Sequence, residues 1–204
     1  MESYSEYVNR LRALGIKELG SGAWAQVFQH PLYSRVVVRV FTQDDTGYKK
    51  WLKFIIRNRN NRYVPQIIPN EQGKLFYYTN IKDSYDYEDK KVPMRAYFVF
   101  IKKYAILDDK KFSDLESTLE YYLSANDIDS IQLSVRGIGY SSLLQLPQFW
   151  RALAENSQFK FEWGQDAIKI AQFFGKQDHL DINIDNVMYN IDSKHIIFTD
   201  PLGG

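Results

Sequence analysis

The chain has 204 residues, of which 45% are hydrophobic, and a formal net charge of +1. That is enough apolar material for one core or two small lobes, and it leaves no global field that would make nucleic acid or a membrane the main partner. The absence of cysteine removes a disulfide framework, thiolate-ligated zinc and a thiol nucleophile.

Tyr4, Tyr7, Val8, Leu11 and Leu14 recur at helical spacing, so residues 2–14 read as an amphipathic lead helix closed by Gly15. Glu2, Glu6 and Arg10 interrupt any signal-peptide core there, and the longest apolar runs fall short of a membrane span. The expectation is therefore a soluble protein of the cytoplasm. Strands are expected at 16–20, 25–30 and 35–41, joined by short turns. A helix follows, with Tyr48, Trp51, Leu52 and Ile55 on one side and Lys49, Lys50, Lys53 and Arg57 at polar positions. The basic stretch from Lys49 to Arg62, with Trp51 and Phe54 interleaved, reads as the solvated face of this helix rather than a nucleic-acid surface.

Further strands are expected at 66–68, 74–79 and 95–101, with 82–91 as an exposed hairpin loop. Beyond Lys103 the pattern turns helical. Ser113-Asp114-Leu115-Glu116 has the form of a capping box opening a helix to about Leu123. Pro147 suits the first turn of another helix, and 161–174 forms a third. Two short strands, 187–190 and 195–199, bracket the turn Ile191-Asp192-Ser193-Lys194. The order predicts an α+β chain with a strand-rich half at 1–103, a helical half at 104–204, a hinge near Lys102–Ala105 and a cleft between them.

Two motifs carry chemistry. Near the C-terminus, His179-Leu180-Asp181-Ile182-Asn183-Ile184-Asp185-Asn186 is an H-x-D-x-x-x-x-N run, and Asp200 follows after a short hydrophobic stretch. In phosphotransferases of the kinase type one Asp orients the attacking hydroxyl, while the Asn and a second Asp hold magnesium against nucleotide phosphates. Asp181 and Asn186 fit the first two roles, and Asp200, with Asn186, the metal role. The interval from Asn186 to Asp200 accommodates a β-hairpin. Far upstream, Gly20-Ser21-Gly22-Ala23-Trp24-Ala25-Gln26-Val27 fits G-x-G-x-x-A-x-V between two strands. Glycines there let backbone amides approach phosphate oxygens, and Val27 would cover the adenine. A Rossmann loop is disfavoured, because a strand rather than a helix follows. Arg39 is the one cation inside Val36-Val37-Val38-Arg39-Val40 and is the candidate phosphate clamp. His179 reads as a support for its loop, and His30 and His195 as residues capping or flanking strands rather than zinc ligands.

The chain resembles kinase-like proteins, and specifically the early serine/threonine protein kinases of short-tailed, podovirus-type bacteriophages. The resemblance lies in Gly20–Val40, including His30-Pro31-Leu32, and in Phe173 through Pro201, where Thr199-Asp200-Pro201 stands in place of D-F-G. It implies a two-lobed kinase-like fold with a minimal helical C-terminal lobe, ATP and Mg2+ as cofactors, and bacterial host proteins as substrates in the host cytoplasm. By position, Asp181 becomes the catalytic Asp, Asn186 and Asp200 the magnesium ligands, Arg39 the counterpart of the phosphate-binding Lys, and Gly20 with Gly22 the nucleotide lid. Ser21, Ala25 and Val27 complete the nucleotide-binding set.

The chain departs from this pattern in several places. Arg39 is not Lys, and Asn183, counted with Asp181 and Asn186 in the catalytic set, stands where serine/threonine kinases carry Lys beside the catalytic Asp. No Glu lies in the helix after the third strand; Asp44 and Asp45 come at its start. The chain reaches Gly204 without an activation segment. A pseudokinase that works by binding a host or defence protein is therefore the alternative reading. A small-molecule phosphotransferase is the second alternative, although Leu180 replaces the Gly of its usual H-G-D.

Overall fold

The structure, a computed structural model, describes residues 3–22, 25–81, 94–125, 128–129, 131 and 142–202, and its architecture is α+β. The chain divides into two units. One runs up to Lys50 and resumes over Gln66–Lys103, and the other comprises Trp51–Pro65 and the chain from Tyr104 onward.

The first unit begins with helix α1 (Tyr4–Ala13), which carries a capping box: Ser3 Oγ accepts from the Glu6 amide, and the Glu6 carboxylate accepts from the Ser3 amide. Strands β1 (Glu18–Ser21), β2 (Ala25–Gln29), β3 (Val36–Thr42), β4 (Tyr77–Ile81) and β5 (Met94–Lys102) form an antiparallel five-stranded sheet in the order β1-β2-β3-β5-β4. The β-branched run in β3 favours extended backbone, and its alternation divides the side chains between the sheet faces. Val38 and Val40 turn toward α1, where Val8 packs with Phe28, Val40, Ile81, Ala96 and Phe98, flanked by Tyr4, Tyr7 and Leu11. Arg39 takes the opposite face. The expected strand at 66–68 is only an isolated bridge, Ile67 to Ile101, because Pro65 and Pro69 cannot donate to a ladder. The strand expected at 74–79 starts later, at Tyr77, because Asn70 Oδ1 accepts from the Gln72 and Lys74 amides and holds that stretch in a turn around Gly73. The expected 82–91 loop lies outside the described residues.

Helix α2 (Thr46–Arg57) follows β3, with Tyr48, Trp51, Leu52 and Ile55 buried and Lys50, Lys53 and Arg57 exposed, so the basic positions form a solvated face. Its residues from Trp51 onward belong to the second unit. That unit also holds β6 (Ala105–Ile106), α3 (Asp109–Glu120), α4 (Pro147–Glu155), α5 (Ser157–Phe174), β7 (Val187–Asn190) and β8 (His195–Phe198), with the strands ordered β6-β7-β8. The capping box expected at Ser113 is not a helix start. Asp108 caps α3 by accepting from the Lys111 amide, so Ser113 lies inside the helix. Glu116 instead accepts from Ser142 Oγ and the Leu143 amide, a partner too distant in sequence to read locally. Pro147 stands at the first turn of α4, as its spacing suggests.

Gly164 interrupts α5 with φ 78° and ψ 179°, a conformation open to glycine and little else. A Cβ there would meet nothing within 4 Å, so the constraint is purely one of backbone. Gly164→Ala is expected to destabilise this unit by about 1–3 kcal/mol, read as a lower urea midpoint. An unchanged midpoint would show that α5 can straighten through residue 164 without loss.

Candidate functional site

The two motifs fall in different units, and each is built by its own elements. In the first unit, Gly20 and Ser21 end β1 after a register shift between Glu18 and Gly20, and both are exposed. The Gly22 amide donates to the Ala25 carbonyl at 2.8 Å, which closes the connection into β2; Ala23 and Trp24 lie outside the described residues. Neither Gly20 nor Gly22 has a positive φ, a Cβ on Gly20 would meet nothing within 4 Å, and one on Gly22 would approach only the Ala25 carbonyl at 3.9 Å. The fold itself therefore gives no reason for glycine at either position. Close approach of a ligand to the backbone would give one.

Val27 pairs with Arg39 across β2 and β3, and Arg39 pairs with Val99 across β3 and β5, so the three share one sheet face. Ala25 lies on the same face, opposite Phe41. The Arg39 guanidinium sits 3.9 Å from the Tyr48 ring centroid, and its Nη2 lies 3.7 Å from Asp45 Oδ2. The Arg39 side chain is 11% exposed, and that of Asp45 is buried, at 5%. Asp45 Oδ1 accepts from the Tyr48 amide at 2.9 Å, so one carboxylate serves the first turn of α2 and the cation of β3. Nearby, the Tyr4 hydroxyl donates to Gln26 Oε1 and to the Val40 carbonyl. Burial pushes that hydroxyl well above the ordinary phenol range, with the Arg39 charge opposing the shift and the Asp45 charge reinforcing it. Tyr4 is thus a neutral donor beside the charges of Arg39 and Asp45.

In the second unit, Leu180 and Ile182 are buried on either side of Asp181, and the alternation leaves the Asp181 carboxylate partly exposed between two anchors. A 3₁₀ turn (Ile184–Asn186) follows, capped by Asn183, whose Oδ1 accepts from the Asp185 and Asn186 amides. That bond orients the Asn183 side chain, so its Nδ2 faces Asp181 and donates to Oδ1 at 2.8 Å. Asn186 Nδ2 donates to Asp181 Oδ2 at 3.0 Å and to the Asp181 carbonyl at 2.8 Å. Each carboxylate oxygen of Asp181 therefore accepts from a neutral amide.

The hairpin of β7 and β8 then returns the chain to this loop. Thr199 donates to the Asn186 carbonyl through both its amide (2.9 Å) and its hydroxyl (3.0 Å), and the Asp181 amide donates to the Pro201 carbonyl at 2.9 Å. Asp200 lies between those tethered residues and is half-buried. Asp181, Asn183, Asn186 and Asp200 are accordingly gathered into one assembly, although they are spread along the sequence.

His179 is exposed. His30 Nδ1 accepts from the Leu32 and Tyr33 amides, which makes it a turn cap, and His195 lies in β8 with its ring 5.9 Å from that of Tyr63. Among the described residues no group of three or more His, Cys, Asp or Glu side chains comes together as a metal site. The oxygens of Asp200 and Asn186 are nevertheless of the hard type that suits magnesium, which commonly takes one or two protein ligands and completes its shell with phosphates and water. No described helix is long and apolar enough to cross a membrane.

No protein-family model matches the chain, and no curated protein matches it either. Sequence reasoning missed the Asp45–Arg39 pair because it looked for a glutamate within α2. The usable signal was an Asp one residue before a helix that follows a strand with a lone cation. It placed Asn183 in the catalytic set and noted that it replaces a lysine, but it did not foresee that a side chain two residues after Asp181 and just before the turn can cap and clamp at once.

Proposed function

We propose that the chain is a Mg·ATP-dependent protein kinase of kinase-like, two-lobed type that phosphorylates serine or threonine of host proteins. The observation that carries the reading is the double tether of the Asp181–Asn186 loop to Thr199 and Pro201, which assembles a held carboxylate with two hard oxygen donors. Asp181 orients the attacking hydroxyl and takes its proton, which needs a carboxylate held in place. Asn186 offers Oδ1 to magnesium, since its Nδ2 is bonded to Asp181, and Asp200 is the second metal ligand. Arg39 binds phosphates, and Gly20–Val27 covers them. Mg·ATP supplies the γ-phosphoryl group, which passes to the hydroxyl oxygen as its bond to ADP breaks. The phage-type substrate class is carried by the motif resemblance.

The glycines give a test that separates binding from folding. Gly20→Ala and Gly22→Ala are expected to leave the melting temperature unchanged while weakening Mg·ATP binding about tenfold, a loss of about 1.4 kcal/mol. Equal binding by both variants would remove the loop from the site. The reading as a whole is tested by incubating the protein with γ-labelled ATP and bacterial lysate, with and without magnesium. Label in protein that disappears on chelation is expected; no label from a folded sample overturns the reading.

One observation favours a second reading. The residue two after Asp181 presents a neutral amide to the carboxylate, so no cation stands there to meet transferring phosphate. A weak or inactive kinase that works by binding a host or defence protein would show capture of its partner undiminished by loss of Asp181 or Asp200.

A further inference from the structure

Arg39 departs from the lysine of the kinase pattern, yet its surroundings fit a guanidinium. We propose that Asp45 and Tyr48 make arginine, and not lysine, the working phosphate-binding cation of this chain, with Asp45 a positioning residue that acts through Arg39. This rests on the kinase reading.

A guanidinium is planar and can lie against an aromatic face, and the Arg39 group does so over Tyr48 at 3.9 Å. An ammonium is a point charge on a flexible stem and has no plane to stack. Asp45 Oδ2 stands 3.7 Å from Nη2, beyond hydrogen-bond length, so this contact balances the buried charge and biases its position electrostatically. The carboxylate cannot drift, because its other oxygen is bonded to the Tyr48 amide. Ring and carboxylate thus come from one helical turn, while Val27 and Val99 flank Arg39 on the sheet. Three features converge on one side chain, and two of them are lost or weakened if its charge is moved to a lysine. Restoring the kinase-pattern lysine is therefore expected to damage the site.

The test compares wild type, Arg39→Lys, Asp45→Asn and the double variant by calorimetric titration with Mg·ATP, and by kcat and KM for phosphate transfer. Asn caps a helix as well as Asp does, so Asp45→Asn keeps the Tyr48 bond and removes only the charge; a thermal melt checks the fold. Each single variant is expected to raise Kd and KM about tenfold with kcat little changed, the size of one lost charge-assisted contact. The double variant is expected to be no weaker than the worse single one, since Asp45 acts through Arg39. Arg39→Lys binding Mg·ATP as tightly as wild type, an indifferent Asp45→Asn, or additive losses would each overturn the proposal. Arg39→Lys alone decides it should Asp45→Asn fail to fold. Wild type that binds no Mg·ATP defeats the kinase reading, and this proposal with it. Wild-type binding with indifferent variants defeats the proposal alone.

Discussion

Asp181→Asn is expected to lower phosphate transfer by a factor of about 10²–10⁴, the range supplied by a positioned general base. The substitution is nearly isosteric and removes the carboxylate proposed to orient the hydroxyl and receive its proton. The loop should survive it. The retained oxygen still accepts from Asn183, and Asn186 keeps its 2.8 Å bond to the residue 181 carbonyl. What is lost is the 3.0 Å bond from Asn186 to Oδ2, where the variant would set one amide NH₂ against another. A single hydrogen bond of this kind is worth about 1 kcal/mol, so the melting temperature should fall by only a few degrees. On the proposed reading Mg·ATP affinity should change less than kcat, because Asn186 stays held by the residue 181 carbonyl and Asp200 and Arg39 are unchanged. Labelling assays run beside a nucleotide titration separate the two. A variant that labels protein at the wild-type rate would remove Asp181 from the chemistry, whatever else the loop does.

The parts of this architecture legible in the sequence are those written within a few residues. β3 was visible because a β-branched run containing a single cation has few alternatives, and the Asp181–Asn186 spacing is short enough to be a motif. Misreadings occurred where two local signals compete. Ser113-Asp114-Leu115-Glu116 has the form of a cap, but Asp108 caps the helix and Glu116 takes partners, Ser142 and Leu143, that lie far along the chain. Residues 66–68 have an apolar strand texture, but prolines on both sides reduce pairing to one bridge. The least legible features join distant segments through single bonds, as Pro201 does with Asp181, or join a strand to a helix cap, as Arg39 does with Asp45. Periodicity carries no trace of such contacts. They follow from where the backbone goes, and only afterwards does the residue choice look fitted to them.

The largest effect on stability is expected from Trp150→Ala, with a loss of about 3–5 kcal/mol. Trp150 is 2% exposed, and its Nε1 donates to the Leu144 carbonyl at 2.7 Å. Its ring meets Phe174 edge-on at 4.9 Å and Phe198 at 5.6 Å. Truncation therefore opens a cavity among aromatic rings and leaves a carbonyl that must find another donor, two costs that add. Trp150→Phe should recover most of the packing and lose mainly the hydrogen bond, at about 1–2 kcal/mol. Phe198 ends β8 immediately before Thr199, so the same cavity loosens the strand that presents Asp200. Hydrogen exchange offers a local readout, because the Thr199 amide is held by the Asn186 carbonyl and should lose protection early in the Ala variant. An unfolding free energy from urea titration that changes by less than about 1 kcal/mol would mean that this aromatic cluster is not what holds the second unit together. Faster exchange at Thr199 with Asp181 and Asn186 still protected would instead locate the weakness in the hairpin, and would separate the strand leading to Asp200 from the Asp181–Asn186 loop as distinct elements.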